Sequence, residues 1–232
     1  MKARAVTIAI LIALLATARV MPAMAADLTE LLNDSRRSIQ HFSSDPDMDW
    51  FREHVKDAKG VLIIPRLLKG GFIFGGSGGS GVLMARDPHT GAWSNPAFYT
   101  LGSFTVGPQI GGEAAEIILL ILTQQGLDSM LATSVKVGAD IEVAAGPVGV
   151  GTKAATVDVL AFSRTKGLFA GASVEGAVIA ARDGWNEELY GKPVRPIEIL
   201  REHRVESRLA DPLREDLTRI AESAPTTQGS LR

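Results

Sequence analysis

The six residues Gly76-Ser77-Gly78-Gly79-Ser80-Gly81 fit G-x-G-x-x-G, the spacing at which a glycine-rich turn brings a dinucleotide pyrophosphate onto a helix N-terminus. That chemistry needs a strand before the turn, a helix after it, and an acid about twenty residues on to hold the ribose. Here Gly81 leads into Val82-Leu83-Met84-Ala85 and then Asp87-Pro88, which leaves no length for the helix, and no acid stands near position 101. The run therefore reads as a glycine-rich hairpin. A second cluster, Gly146 to Thr156, ends in Gly-Thr-Lys where a phosphate-binding loop has Gly-Lys-Ser or Gly-Lys-Thr, and the following "TVDVLAF" has the texture of a strand. Neither cluster supports a nucleotide, and no cofactor is expected.

Other reactive side chains are sparse or badly spaced. His41, His54, His89 and His203 share no spacing that would set two on one metal, and there is no Gly-x-Ser-x-Gly nucleophile elbow. The chain has no cysteine, which excludes thiolate chemistry, disulfides and a lipidated cysteine. Two carboxylate pairs occur, Glu113 with Glu116 and Asp140 with Glu142; on a strand the second pair would share a face. A carboxylate-based hydrolase using Asp140 and Glu142 is thus an alternative, which predicts a raised carboxyl pKa beside a concave site. The main expectation is a protein that is not an enzyme.

The elements that must carry any site begin after an N-terminal segment of secretory type. Met1-Lys2-Ala3-Arg4 precedes an apolar run too short to span a bilayer, and Ala23-Met24-Ala25 has the small-x-small form of a cleavage site. Residues 1–25 read as a signal peptide, and the protein as exported, periplasmic or secreted. Losing Lys2, Arg4 and Arg19 with that segment would take the formal charge from −2 to about −5, a poor balance for nucleic-acid binding. Leu28, Leu31, Leu32, Ile39 and Phe42 then recur at helical spacing behind Asp27 as cap, and Met48, Phe51, Val55 and Ala58 mark a second helix between caps Asp47 and Gly60. From Val61 the pattern changes to short β-branched runs punctuated by glycine, the signature of a curved, mainly antiparallel sheet that closes partway toward a barrel. "DPHTG" reads as a turn, Thr123 to Ala132 as a short inserted helix, and a C-terminal helix is expected from Pro196. The fold class is α+β, with one domain over 26–210 and a helix end and disordered tail over 211–232.

Charge is unevenly spread. Lys56, Lys59, Arg66, Lys69 and Arg86 face only Asp57 between positions 56 and 86. The segment could dock onto an anionic surface, each cation near a charged bilayer contributing about 1 kcal/mol. Phe42, Trp50 and Phe51 could dip into headgroups or simply be core, since insertion and burial make the same helical pattern. Lys153, Arg164 and Lys166 form a second, looser group.

The ordered motifs "KGVLIIPRLLKGGFIFGGSGGSGVLMARD", "GAWSNPAFYTLGSFTVGPQIGGE", "VKVGADIEVAAGPVG" and "FSRTKGLFAGASVEGAVIAARDGWNEELYG" resemble the SYLF domain family over about Leu28 to Leu200. The resemblance implies a non-enzymatic domain that binds phosphoinositides and other anionic phospholipids through a basic, amphipathic N-terminal region; fungal relatives also bind actin filaments. It assigns lipid contact to Lys56, Lys59, Arg66 and Lys69, with Lys153, Arg164 and Lys166 as further candidates, and an architectural role to the glycines from Gly70 to Gly81. The chain shows no Src-homology-3 module, so the recruitment role of eukaryotic relatives is not implied. The expected partner is an anionic phospholipid membrane surface, the protein being peripherally associated. The alternative is an envelope protein-interaction or actin-binding-like structural module with protein partners.

Overall fold

The computed structural model describes residues 21–71, 74–106, 111–146, 157–165, 168–171, 174 and 176–223. Helix α1 (Met21–Ser44) buries Leu28, Leu32, Ser35, Ile39 and Phe42, a three- and four-residue spacing that draws one stripe along its length. It starts at Met21, so Asp27 lies inside the helix and exposed, where the sequence suggested a cap. Pro46 ends any continuation of α1 and begins a 3-10 turn (Pro46–Met48), capped by Asp45, whose carboxylate accepts from the Asp47 amide at 2.9 Å. Asp45 caps this turn, whereas the helix that follows has Met48 at its N-cap and no side-chain cap, so Asp47 is not the cap expected of it. The second helix, α2 (Asp49–His54), is short, and Gly60 opens the first strand instead of closing this helix.

Among the described residues nine strands form one sheet in the order β5-β9-β3-β2-β1-β4-β7-β6, with β8 also on β7, curled into a half-barrel. The centre is β2 (Phe74–Ala85), β1 (Gly60–Gly71) and β4 (Gly111–Ile121), flanked by β3 (Ala97–Val106) and β7 (Val159–Thr165). The margins are short: β5 (Ser134–Lys136), β6 (Val143–Ala145), β8 (Leu168–Gly171) and β9 (Val178–Ala181). All the pairings are antiparallel except β6 on β7. Strand β1 carries a bulge: Ile64 pairs Ile117 and Leu67 pairs Ala115, so Pro65 and Arg66 both stand opposite Glu116. A bulge is where a central strand tolerates proline, and it bends the sheet.

Period-two alternation gives the sheet two apolar faces. On one, Val61, Ile63, Val82, Met84, Phe98, Ile118 and Leu120 pack under α1, α2 and the last helix, α6 (Asp211–Ser223). On the other, Leu62, Ile64, Leu83, Tyr99, Leu119 and Ile179 meet α3 (Gln124–Met130) and α5 (Pro196–Leu200). Helix α4 (Asp183–Tyr190) ends at Gly191, whose φ of +68° is the left-handed conformation that glycine adopts freely. Asn186 on α4 is fully buried and accepts from the Phe98 amide at 2.8 Å.

The single C-terminal helix expected from Pro196 is two helices. The first ends near Arg201, with His203 in a left-handed conformation (φ +51°) before the chain restarts at Asp211. Asp216 on α6 is 1% exposed and clamps α6 to α1: Arg36 Nε donates to it at 2.6 Å and Gln40 Nε2 at 2.8 Å, while Arg219 Nη1 donates from within α6 at 2.8 Å. No described helix is long and apolar enough to cross a membrane.

Candidate interaction surface

The glycine run belongs to β2, and its two faces differ. On the face shared with Leu83 and Ala85, a Cβ at Gly79 would stand 2.5 Å from the Arg66 carbonyl oxygen, and one at Gly81 would stand 2.5 Å from that of Ile63. Those two glycines admit the bulged segment of β1. On the helix-side face, Gly78 pairs Leu68 and Gly102, and Gly76 pairs Gly70 and Phe104. A Cβ would meet nothing within 4 Å at Gly70, and nothing closer than 4.0 Å at Gly78 or 3.9 Å at Gly102. The architectural role expected for the whole run therefore holds sterically for Gly79 and Gly81, and in part for Gly76, whose Cβ would stand 3.2 Å from the Ser103 carbonyl oxygen, while Gly70 and Gly78 have open space above them.

Two large apolar side chains rise from this bare floor. Leu68 is 57% exposed and Phe104 is 70% exposed. Across the strands the floor continues through Ala114, the β4 partner of Leu68. It is bounded where α1 ends: His41 Nδ1 lies 3.0 Å from Glu116 Oε2, and Arg164 Nη1 donates to Glu116 Oε1 at 2.9 Å. On the reverse face of the same strands Lys69 is exposed, paired in register with Ser77 and with Glu113, and Ser77 and Ser103 share a 2.8 Å hydroxyl contact. Arg66 is exposed on the bulge.

The basic residues singled out from the sequence are not gathered into one patch. Lys56 and Lys59 precede β1, whereas Arg66 and Lys69 lie toward its far end; ten residues of extended chain, about 33 Å, separate Lys59 from Lys69. Arg164 is engaged with Glu116 and His41. Lys153 and Lys166 lie outside the described residues, as does most of the second glycine cluster.

The aromatics of the N-terminal helices face the core. Phe42 and Phe51 are fully buried, with ring centroids 6.0 Å apart, and Phe51 meets Phe162 edge-on at 5.6 Å. Trp50 is half-buried and stacks on His54 at 3.8 Å.

The carboxylate alternative loses its geometry. Asp140 and Glu142 are exposed and do not share a strand: Asp140 sits in a turn, accepting from the Lys136 amide at 2.7 Å, and Ile141 only bridges Val137. Gly138, with φ +87°, turns the chain where alternation suggested a continuous strand. Among the described residues no three His, Cys, Asp or Glu side chains cluster as a metal site would require.

Leu68 and Phe104 escaped the sequence reading. No signal in the sequence marks them: Leu68 and Phe104 stand in the same strand texture as the buried Leu67 and Leu101.

Comparison with known proteins fits this picture. The family described as "Ysc84: Las17-binding protein actin regulator" matches residues 102–220. "SH3 domain-containing protein PJ696.02" of Schizosaccharomyces pombe is 36% identical over 167 residues, covering 68% of this chain and 38% of its own length. "LAS seventeen-binding protein 3" of Saccharomyces cerevisiae is 37% identical over 145 residues, covering 59% of this chain and 31% of its own. The human "SH3 domain-containing YSC84-like protein 1" is 28% identical over 152 residues, covering 63% and 44%. The chain thus spans less than half the length of these relatives. No solved structure matches. The periplasmic or secreted location expected from the first 25 residues is contradicted by these relatives, which come from two yeasts and human and share a family described as an actin regulator. With more than half of its length matched, and with the SYLF motifs in order, the chain belongs to the Ysc84 family of actin regulators.

Proposed function

We propose that the chain is a non-catalytic interaction module that docks a protein partner of the actin machinery on the glycine-floored end of its sheet. The supporting observation is the bare floor itself. Gly70, Gly78 and Gly102 have room for side chains, yet carry none, beneath the exposed Leu68 and Phe104. Glycine at such positions lets another backbone approach closely, and two apolar anchors on a flat surface have the form of a binding hot spot. The names of the relatives, Las17-binding and YSC84-like, point to the partner class. Co-sedimentation with actin filaments tests it. The double variant Leu68→Ser with Phe104→Ser should lower the pelleted fraction at least tenfold in affinity while melting within a few degrees of the parent. Unchanged pelleting of a folded double variant would remove this surface from the proposal.

A second reading, an anionic phospholipid or phosphoinositide surface, is favoured by Arg66 and Lys69, both exposed at the same end of β1. At about 1 kcal/mol per cation, changing both to Ala should weaken binding to anionic vesicles roughly thirtyfold at low salt. Changing Lys56 and Lys59, at the other end of the strand, should have a smaller effect. Equal losses from both pairs would argue for a diffuse charge effect instead of a site.

A further inference from the structure

At the end of the sheet opposite the glycine floor, β2 runs out at Ala85 into the turn Asp87–Gly91, and the ends of α3 and α5 close over it. They enclose a cleft of about 360 Å³ with Leu127 and Leu200 in its floor. Arg86, His89, Gln124, Arg201 and His203 supply its polar lining together with Asp87. We propose that this cleft binds a small phosphate-type oxyanion, inorganic phosphate or the phosphomonoester of a small polar molecule.

Every polar side chain of the lining except that of Asp87 can donate hydrogen bonds. Asp87 is the internal organiser. One of its oxygens accepts from the His89 amide at 2.9 Å, the Thr90 amide at 2.7 Å and the Thr90 hydroxyl at 2.9 Å. The Thr90 bonds, then that of His89, hold its carboxyl below the usual range, so the group is anionic, with its Oδ1 turned to the donors of the turn. The turn closes through Gly91, whose φ of +73° lets its carbonyl accept from Arg86 Nε at 3.0 Å. That bond fixes the plane of the Arg86 guanidinium and leaves its two Nη groups for an anion, the fork geometry that suits phosphate oxygens.

The opposite wall carries His203, the one non-glycine residue with positive φ among the described residues. It sits just past α5, where the Arg204 amide donates to the Glu198 carbonyl at 2.9 Å and glycine is the usual occupant. A side chain kept at a strained backbone position points to a role for that side chain. Its Nε2 lies 3.7 Å from Asp87 Oδ2, which places the two walls side by side. Arg201 and Gln124 both donate to Asp128 Oδ1 at the rim. The volume lies in the range of small-ligand sites, with room for more than a bare phosphate.

The test titrates the full chain with inorganic phosphate and, separately, with glycerol 3-phosphate, following amide and imidazole resonances, with sodium chloride at matched ionic strength as control. Saturable shifts confined to residues 85–91 and 200–204 are expected. Arg86→Gln should weaken them at least tenfold. His203→Gly relieves the backbone strain, so it should fold at least as well as the parent and still weaken binding several-fold. Vesicles of neutral lipid with and without phosphatidic acid, which carries a phosphomonoester, distinguish a membrane source from a soluble one. Shifts that do not saturate, that chloride reproduces, or that persist unchanged in both variants would overturn the proposal. The floor at the other end of the sheet is untouched by these variants, so its test stands separately.

Discussion

Replacing Gly81 by alanine, beside the same change at Gly78, separates the two roles of the glycine run. An alanine Cβ at position 81 would lie 2.5 Å from the Ile63 carbonyl oxygen and 2.7 Å from Ile64 Cγ1. Comfortable contacts of this kind need about 3.5 Å, so β1 and β2 would have to part locally by roughly 1 Å. The obstacle is backbone in a strand paired on both sides, to β2 and to β4, and it cannot rotate away. Overpacking of a core costs about 1–3 kcal/mol, and a backbone obstacle puts Gly81→Ala near the upper end. For a domain of this size about 3 kcal/mol corresponds to a fall in Tm of roughly 6–12 °C. At Gly78 the nearest atom to the new methyl is 4.0 Å away, so the fold loses nothing. The reduced freedom of the unfolded chain adds about 0.4–1 kcal/mol of stability, a rise of a few degrees. Circular dichroism melts and urea unfolding of the two variants read both values. Should Gly81→Ala melt within about 2 °C of the parent, or Gly78→Ala fall as far as Gly81→Ala, the division of the run into packed and bare faces is wrong.

Asp216→Asn should cost about 2 kcal/mol, less than a fully buried pair would, because Arg36 and Arg219 are 40% and 69% exposed and partly screened. Burial pushes the Asp216 carboxyl up, but the hydrogen bonds from Arg36 and Gln40 and the charges of Arg36 and Arg219 outweigh it and hold the group below the usual range. A depressed folded pKa stabilises above the unfolded value, near 3.9, and that stabilisation is lost as pH falls through the lower folded value. The stability gap between parent and Asp216→Asn should therefore be complete at pH 5–7 and shrink below about pH 4 in urea melts. Asn186→Ala leaves the buried Phe98 amide without its acceptor and should cost about 1–3 kcal/mol by the same assay. Loss of actin pelleting by Leu68→Ser with Phe104→Ser, and loss of phosphate shifts by His203→Gly, complete the set.

The fold was legible where one periodicity ran uninterrupted. Leu28, Leu32, Ile39 and Phe42 mark α1 because one face of a helix must be apolar, and the β-branched runs mark strands for the equivalent reason. Ends were less legible. Asp47 has the side chain of a good cap, but Pro46 opens a 3-10 turn that takes up Asp47 and puts Met48 at the N-cap of the helix. Asp140 and Glu142 alternate as a strand would, but Gly138 in a left-handed conformation makes a turn of them. The candidate surface was least legible. Charge clusters along a sequence mislead when a long strand passes through them, since β1 carries Lys59 and Lys69 to opposite ends. Burial of Phe51 and exposure of Phe104 depend on where the helix layer stops, which no local pattern encodes.

The clamp between Arg36 and Asp216 joins residues 180 positions apart. Such a contact cannot form on a ribosome until nearly the whole domain has been made; at ordinary rates of synthesis the first helix waits about ten to forty seconds for its partner. Throughout that interval Leu28, Leu32, Ile39 and Phe42 present an apolar stripe that the emerging sheet covers in part and α6 completes. A nascent chain with such a delay is an obvious client for chaperones that hold amphipathic helices. Loss of Asp216 should then lower the yield of folded protein in the cell by more than its effect on equilibrium stability implies.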